Sequence, residues 1–373
     1  MSNMDAHFLK RAETMLNEEL FKTEGLFIDN FLSLSNAFKE NFRKLCTEIA
    51  TLQEAAHLDA ISYIEYTLLQ TNMINKDYAA EIRVYGEEWY LCKNQRVIDR
   101  FDISFLFQNF DRLWAELLVM SKQYVGKVSS LDITGFMMDA ASKFYAYVVS
   151  LCRFSILECI EQDYFKAIEK ATQFSINVGE YMGITEPICK ENSNKDSKKL
   201  LEWFADCLDY EYCYEDFSGL DFSNEDFSDL DFRYSDLRNA QLTNTDFTEA
   251  NLIGTRFCGA NLESADFTDS IIYEADFSRA NLQNVGFNHS EANCGNPNKE
   301  EWKHPGFFNV SFRNANLLNA DFFGAGLAGA DFFGANLAGA DFTEAALDGA
   351  KFDLIAKNEL DLSPEQMRVV VFE

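Results

Sequence analysis

From Phe217 onward every fifth residue is large and apolar, and no other feature of the chain restricts its fold as much. The series runs from Phe217 to Phe287, breaks, resumes in the same register at Phe307 and ends at Phe352. Of these 25 central positions, 15 are Phe, 9 are Leu and one, Ile272, is isoleucine. Two residues ahead of most of them stands a small side chain: Ala240, Ala250, Ala260, Ala265, Ala275 and Ala280, then alanine at every fifth position from Ala315 to Ala350. A period of five matches neither the 3.6 of a helix nor the 2 of a strand, so neither element buries the set on one face. A short fixed period calls instead for a solenoid, in which one repeat cannot cover its own apolar residue and stacking supplies the core.

The motif, A-(D/N)-(L/F)-x-x, resembles the pentapeptide-repeat family over roughly 140 residues, about 215–356. That resemblance implies a right-handed quadrilateral β-helix with four repeats to a coil. The central Phe or Leu and the small residue two before it then point inward, and the Asp or Asn just before the centre and the two residues after it face water. Phe would stack on Phe at about the 4.8 Å spacing of neighbouring strands, leaving a filled lumen and no ligand tunnel. The interruption 292–306 is 15 residues long and keeps register. With it counted, residues 217–356 make seven coils of about 34 Å in all, close to one turn of B-DNA.

Several positions depart from the pattern. Glu215, Leu220, Glu225 and Leu230 fill the small inward site of the first coil, which places them at a wet or capped end, because a carboxylate inside a dry core costs several kcal/mol. Segment 291–306 loses the motif and contains Trp302 and His304, so it reads as a loop off the solenoid. Its tryptophan is either an exposed anchor beside basic groups or folds back on the coil. Phe308, Leu318, Phe323 and Phe333 break the polar rule after the centre. They mark either an apolar band for protein contact, including a homodimer or docking of the N-terminal domain, or scattered exposure. Near the C-terminus, Ser363, Pro364 and Gln366 spell a capping-box helix start for a short lid.

The N-terminal half reads as an all-α helical bundle of six or seven helices. Residues 5–23, 27–56, 57–75, 77–93, 101–125, 132–160 and 161–180 carry apolar side chains at helical spacing, and proline is absent before Pro187. The division expected is a helical domain over 1–189, a linker and capping helix over 190–214 with its helix at 199–209, the repeats over 215–356 and a C-terminal cap over 357–373. The fold class is therefore α+β, multidomain.

Charge is uneven: residues 1–200 hold 22 Lys and Arg against 29 Asp and Glu, and residues 201–373 hold 10 against 32. Such an acidic half disfavours direct contact with nucleic acid or an anionic membrane and admits basic partners, although a solvated face has the same composition. Nine cysteines form no C-x-x-C pair, the first residues lack the apolar core of a signal peptide, and no apolar run approaches ~18 residues. Reduced thiols in a cytoplasmic protein are expected. No nucleophile elbow, phosphate loop, zinc pair or nicotinamide fingerprint is present, and His7 and His57 have no partner at metal-ligand spacing. The expectation is a protein without enzymatic activity, cofactor or metal, acting as a scaffold or adaptor through the outer faces of its solenoid. The alternative follows from the family resemblance: an acidic imitation of duplex DNA that occupies a type II topoisomerase such as DNA gyrase and confers quinolone or toxin protection. Asp226, Asp246 and Asp266, one per coil on one face, are the residues on which the two readings divide.

Overall fold

The structure is a computed structural model that describes residues 4–89, 96–181, 183–204, 212–292, 302, 307–358 and 360–373. It divides into two compact units, Met1–Ser193 with Asn296–Pro305, and Asn194–Gly295 with Gly306–Glu373.

The first unit is not a helical bundle. A single helix, α1 (Ala6–Glu54), replaces two expected ones, and Gly25 lies inside it with nothing near its absent side chain. Strands run through three of the predicted helices: β1 (Ile61–Leu68), β2 (Ala79–Tyr85) and β4 (Lys170–Glu180). With β3 (Arg96–Asp102) and β5 (Thr185–Asn192) they form a five-stranded sheet in the order β3-β2-β1-β4-β5, in which β1 and β4 are parallel and the other pairs antiparallel. The reason is visible in β1. Ile61, Ile64 and Leu68 stand at helical spacing, but the segment ISYIEYTL is β-branched and aromatic, and that propensity prevails once one sheet face is packed. Ile64 and Tyr66 on that face are fully buried, Tyr66 against Phe38 of α1 with ring centroids 5.5 Å apart. The remaining elements are α2 (Gln70–Ile74), α3 (Gln108–Ser121), α4 (Ser130–Cys159) and α5 (Asp163–Lys166). Helix α4 starts where its capping box requires, with Ser129 accepting from the Asp132 amide and Asp132 accepting from the Ser129 amide.

In the second unit the residues just before the centres form parallel bridges twenty positions apart, as in Asp216↔Asp236, Asp221↔Gln241, Asp226↔Asp246 and Asp231↔Asn251. Each coil therefore contains four repeats, and the bridges run in four columns. Within a repeat the amide three residues after the centre donates to the central carbonyl, for example Ala240 to Leu237 at 3.2 Å. The residue two after the centre turns the corner with positive φ, 56° at Asn239 and 74° at Gly329, which explains the Asn, Asp and Gly found there.

The interruption is looped out rather than counted as repeats, since the bridges step from Asp276 directly to Ser311 and from Glu291 to Gly326. Two expectations change with it. Ala292, fully buried, fills the central position, whereas Phe307 is off the ladder and donates its amide to Glu274 Oε1 at 3.0 Å. The bridges make six coils and the first side of a seventh rather than seven, about 29 Å at the strand spacing.

Phenylalanine fills the third column and, apart from Leu237, the first, and leucine takes most of the second and fourth together. Phe257 stacks on Phe277 at 4.9 Å and 3°, and Phe267 on Phe287 at 4.8 Å and 18°. The two stacks meet edge to face, Phe257 on Phe267 at 5.8 Å and 89°. Hydroxyls take some of the inward small sites by bonding to carbonyls one coil away, as Thr245 to Phe222 (3.0 Å) and Thr255 to Phe232 (2.8 Å). Helix α6 (Ser197–Phe204) precedes the first coil and puts Phe204 against Phe217, Phe222, Phe227 and Phe232. Leu220 and Leu230 pack against this same apolar cluster, so that end of the ladder is capped; the rest of the expected 199–209 helix lies outside the described residues.

At the other end the Ser363–Gln366 capping box forms in both directions ahead of α7 (Gln366–Val369), and Gln366 Nε2 donates to the carbonyls of Phe342 and Ala345. A strand, β7 (Val371–Phe372), then pairs in parallel with β6 (Lys351–Phe352), extending the first column by one step. This covers part of an edge that would otherwise be open.

Candidate functional site

Each column has its own chemistry. In the first, Asp236 lies 2.8 Å from Arg238 and 3.3 Å from Arg256, and Asp331 lies 2.6 Å from Arg313. Burial pushes the Asp236 carboxyl up, but Arg256 and Arg238 overcome it and hold the group below the usual aspartate value. In the fourth column Asp231 pairs with Arg233 at 2.8 Å. The second column is an amide ladder: Asn261 donates to Gln241 at 3.2 Å, and Asn281, Asn316 and Asn336 each donate to the preceding Asn at 2.9 Å. Sequence reasoning missed this ladder, because the twenty-residue step had to be corrected for the excursion before Asn281 and Asn316 became neighbours.

The third column is acidic without compensation. Asp226, Asp246, Asp266, Asp321 and Asp341 hold five of its six bridging positions and Gly286 the other; Asp229, Glu249, Asp269 and Glu344 hold four of the six turns that follow, His289 and Gly324 the other two, and no Lys or Arg occupies either set. Asp226 and Asp266 are exposed and Asp246 is half-buried. Their carboxylates also build the corner: Asp226 accepts from the Ser228 amide and hydroxyl, Asp246 from the Thr248 amide, and Asp266 from the Thr268 amide and hydroxyl.

Hydrogen bonds from Ser228 hold Asp226 below the ordinary aspartate range, and those from Ser223 and Thr343 do the same for Asp221 and Asp341. A carboxyl whose folded value is lowered contributes stability above its unfolded pKa of about 4 and loses it as pH falls through the folded value. The urea midpoint of the solenoid is therefore expected to drop steadily below about pH 4. Asn at 221, 226 and 341 should flatten that acid limb; an unchanged limb would assign the loss to other carboxylates.

The remaining site residues named from the sequence do not gather into one patch. Leu318, Phe323 and Phe333 follow centres in the second, third and first columns, so they form no single band. Phe323 is half-buried with its ring edge-on to His289 at 5.4 Å, and Phe333, 36% exposed, has the Arg313 guanidinium 4.9 Å from its ring centre. Phe308 is off the ladder beside Phe307, its amide 3.4 Å from Glu274 Oε1. Trp302 is only 4% exposed; it belongs to the first unit and packs on Tyr147 of α4 at 5.9 Å, so it is not an exposed anchor. His304 lies outside the described residues. No group of three or more metal-ligating side chains occurs among the described residues, and no described helix is long and apolar enough to cross a membrane.

A model of pentapeptide repeats matches in eight copies over residues 216–249, 245–284, 307–337 and 325–353. No curated protein matches the chain. Among solved structures, Rfr23, a pentapeptide repeat protein from the cyanobacterium Cyanothece 51142, shares 28% identity over 29% of this chain and 60% of its own, with a TM-score of 0.22. QnrB1, a plasmid-mediated fluoroquinolone resistance protein, shares 17% over 43% of this chain and 93% of its own (TM-score 0.25). HetL, involved in heterocyst differentiation regulation in Nostoc sp. strain PCC 7120, shares 20% over 42% and 97% (TM-score 0.13). With its period of five, its bridges every twenty residues and its match to eight repeat copies, the C-terminal region of this chain belongs to the pentapeptide-repeat family.

Proposed function

We propose that this chain is a non-enzymatic, cytoplasmic protein-binding scaffold whose contact surface is the third column of a right-handed, four-sided repeat solenoid, and whose partner is a protein surface rich in Lys and Arg. The observation that carries this reading is the partition of charge. Arginines neutralise acids on the first and fourth columns, whereas Asp226, Asp246 and Asp266 stand in line with no ion-pair partner among the described residues. A row of one sign at the strand spacing steers and orients a basic surface, and salt screens its exposed charges over about 10 Å at 0.1 M. Asparagine already occupies the equivalent position in the second column, so the triple change Asp226→Asn, Asp246→Asn and Asp266→Asn is expected to leave the fold intact. Partners retained by the wild-type chain should be lost by this variant, and also by the wild type between 50 and 300 mM salt. Equal retention by both at every salt concentration would exclude the third column as the contact surface.

The same alignment supports a second reading, imitation of duplex DNA toward a type II topoisomerase such as gyrase, because the carboxylates of Asp226, Asp246 and Asp266 repeat once per coil along an axis as phosphates do. It predicts that the wild-type chain inhibits gyrase supercoiling at low salt and the triple variant does not. Normal supercoiling in excess wild-type protein rejects this reading and leaves the scaffold standing.

A further inference from the structure

The first unit has an open feature that the repeats do not account for. Helices α1 and α4 pack together and enclose, at their N-terminal ends, a groove of about 590 Å³. One wall carries Leu9, Glu13 and Leu16 of α1, spaced by four and three residues. The other carries positions from Leu131 to Lys143 of α4, twelve residues apart, so the groove runs about 18 Å. Leu131 is 79% exposed there.

Gly135, in the second turn of α4, lines the groove and is exposed, and a Cβ at this position would meet nothing within 4 Å. A glycine at such a place weakens its helix relative to alanine. With no described atom within 4 Å of its absent side chain, the position also leaves room for another backbone to approach closely. The rim is acidic: Glu13, Asp132 and Asp139 against Lys143 alone. Asp132 is engaged in the Ser129 capping box, while Glu13 and Asp139 have no ion-pair partner among the described residues.

We infer that this groove docks a basic amphipathic α-helix of about three turns from a partner protein, with its apolar stripe on Leu9, Leu131 and Phe136, its backbone over Gly135, and Lys or Arg side chains reaching Glu13 and Asp139. Two helices with apolar residues along one seam accept a third by seating its ridge in the groove between them. The span of about 18 Å matches about three turns of helix, and the acidic rim selects its charge.

The probe is a fluorescently labelled 14-residue peptide of Leu and Lys, with Leu at helical i, i+3, i+4 and i+7 positions. Its control is a shuffled peptide of identical composition and charge but no apolar face. Attraction to the acidic solenoid acts on both peptides alike, so the difference between them isolates the groove. With the full chain, the patterned peptide is expected to bind at least ten-fold more tightly than the shuffled one. Gly135→Gln, which puts a side chain into the groove, should remove that difference while leaving the shuffled peptide unaffected and the melting temperature equal or higher. Should Gly135→Gln disturb folding, Leu131→Asp at the exposed rim is expected to remove it equally. Equal binding of the two peptides by the wild type, or a difference that survives both variants, overturns the inference.

Discussion

Phe267→Ala is expected to lower stability by about 3–5 kcal/mol, the largest effect of any single change in the middle coils. The ring is fully buried and stacks on Phe247 at 5.0 Å and on Phe287 at 4.8 Å, while Phe257 and Phe277 meet it edge-on at 5.8 and 5.5 Å. Truncation removes all four aromatic contacts and leaves a cavity that the ladder cannot close, because each coil is bonded to the next through backbone groups on every side. Thr268→Ala, one residue on, loses a side-chain hydrogen bond to Asp266 at the surface and should cost under about 1 kcal/mol. Urea unfolding of the two variants distinguishes them. Coincident midpoints would show that the central residue is not what binds the coils together, and would undo the assignment of inward and outward positions.

That assignment was legible in the sequence because the repeat is local. Each set of five residues contains its own centre, spacer and corner, and the pattern states its period without knowledge of the rest of the chain. What the period could not say is which residues share a column beyond the interruption. A 15-residue excursion is a multiple of five, so Phe307 stays in register with the centres although it is off the ladder and Ala292 occupies the place instead. The link from Asn281 to Asn316 in the amide ladder follows from the same correction. Trp302 was misjudged for a different reason: its surroundings look polar in sequence, but its packing partner Tyr147 is more than a hundred residues away. In the first unit, helix α4 was readable because its cap is a short-range signal. The sheet was not, since apolar spacings of three and four residues in β1 satisfy a helix as well as a strand. Only the content of β-branched and aromatic residues separates the two, and tertiary packing decides it.

Phe204→Ala is the second large change, and its effect should be confined to one end. Within the stack each coil covers the apolar face of its neighbour, so every central side chain has rings or aliphatic groups above and below. The first coil has no coil before it. Phe204 takes that place, fully inside a ring of four phenyls, with centroids 5.3, 5.5, 4.8 and 5.6 Å from Phe217, Phe222, Phe227 and Phe232, and Tyr212 4.9 Å from it on the outer side. The small inward sites of this coil are filled by Glu215, Leu220, Glu225 and Leu230, which leave no compact alanine layer to take over the role. Removing the plug opens the four phenyls to water, an expected loss of about 3–5 kcal/mol. In a repeat array this loss appears first as fraying of the terminal coil, since each coil is stabilised mainly by its neighbours. Hydrogen exchange should reveal it directly. The amides of Phe217, Phe222 and Phe227, which donate to the carbonyls of Asp236, Gln241 and Asp246, should exchange far faster in the variant, while those of Phe312 and Phe322 should keep their protection. Uniform acceleration along the whole ladder would mean that the solenoid opens as one unit and that Phe204 is not a local cap.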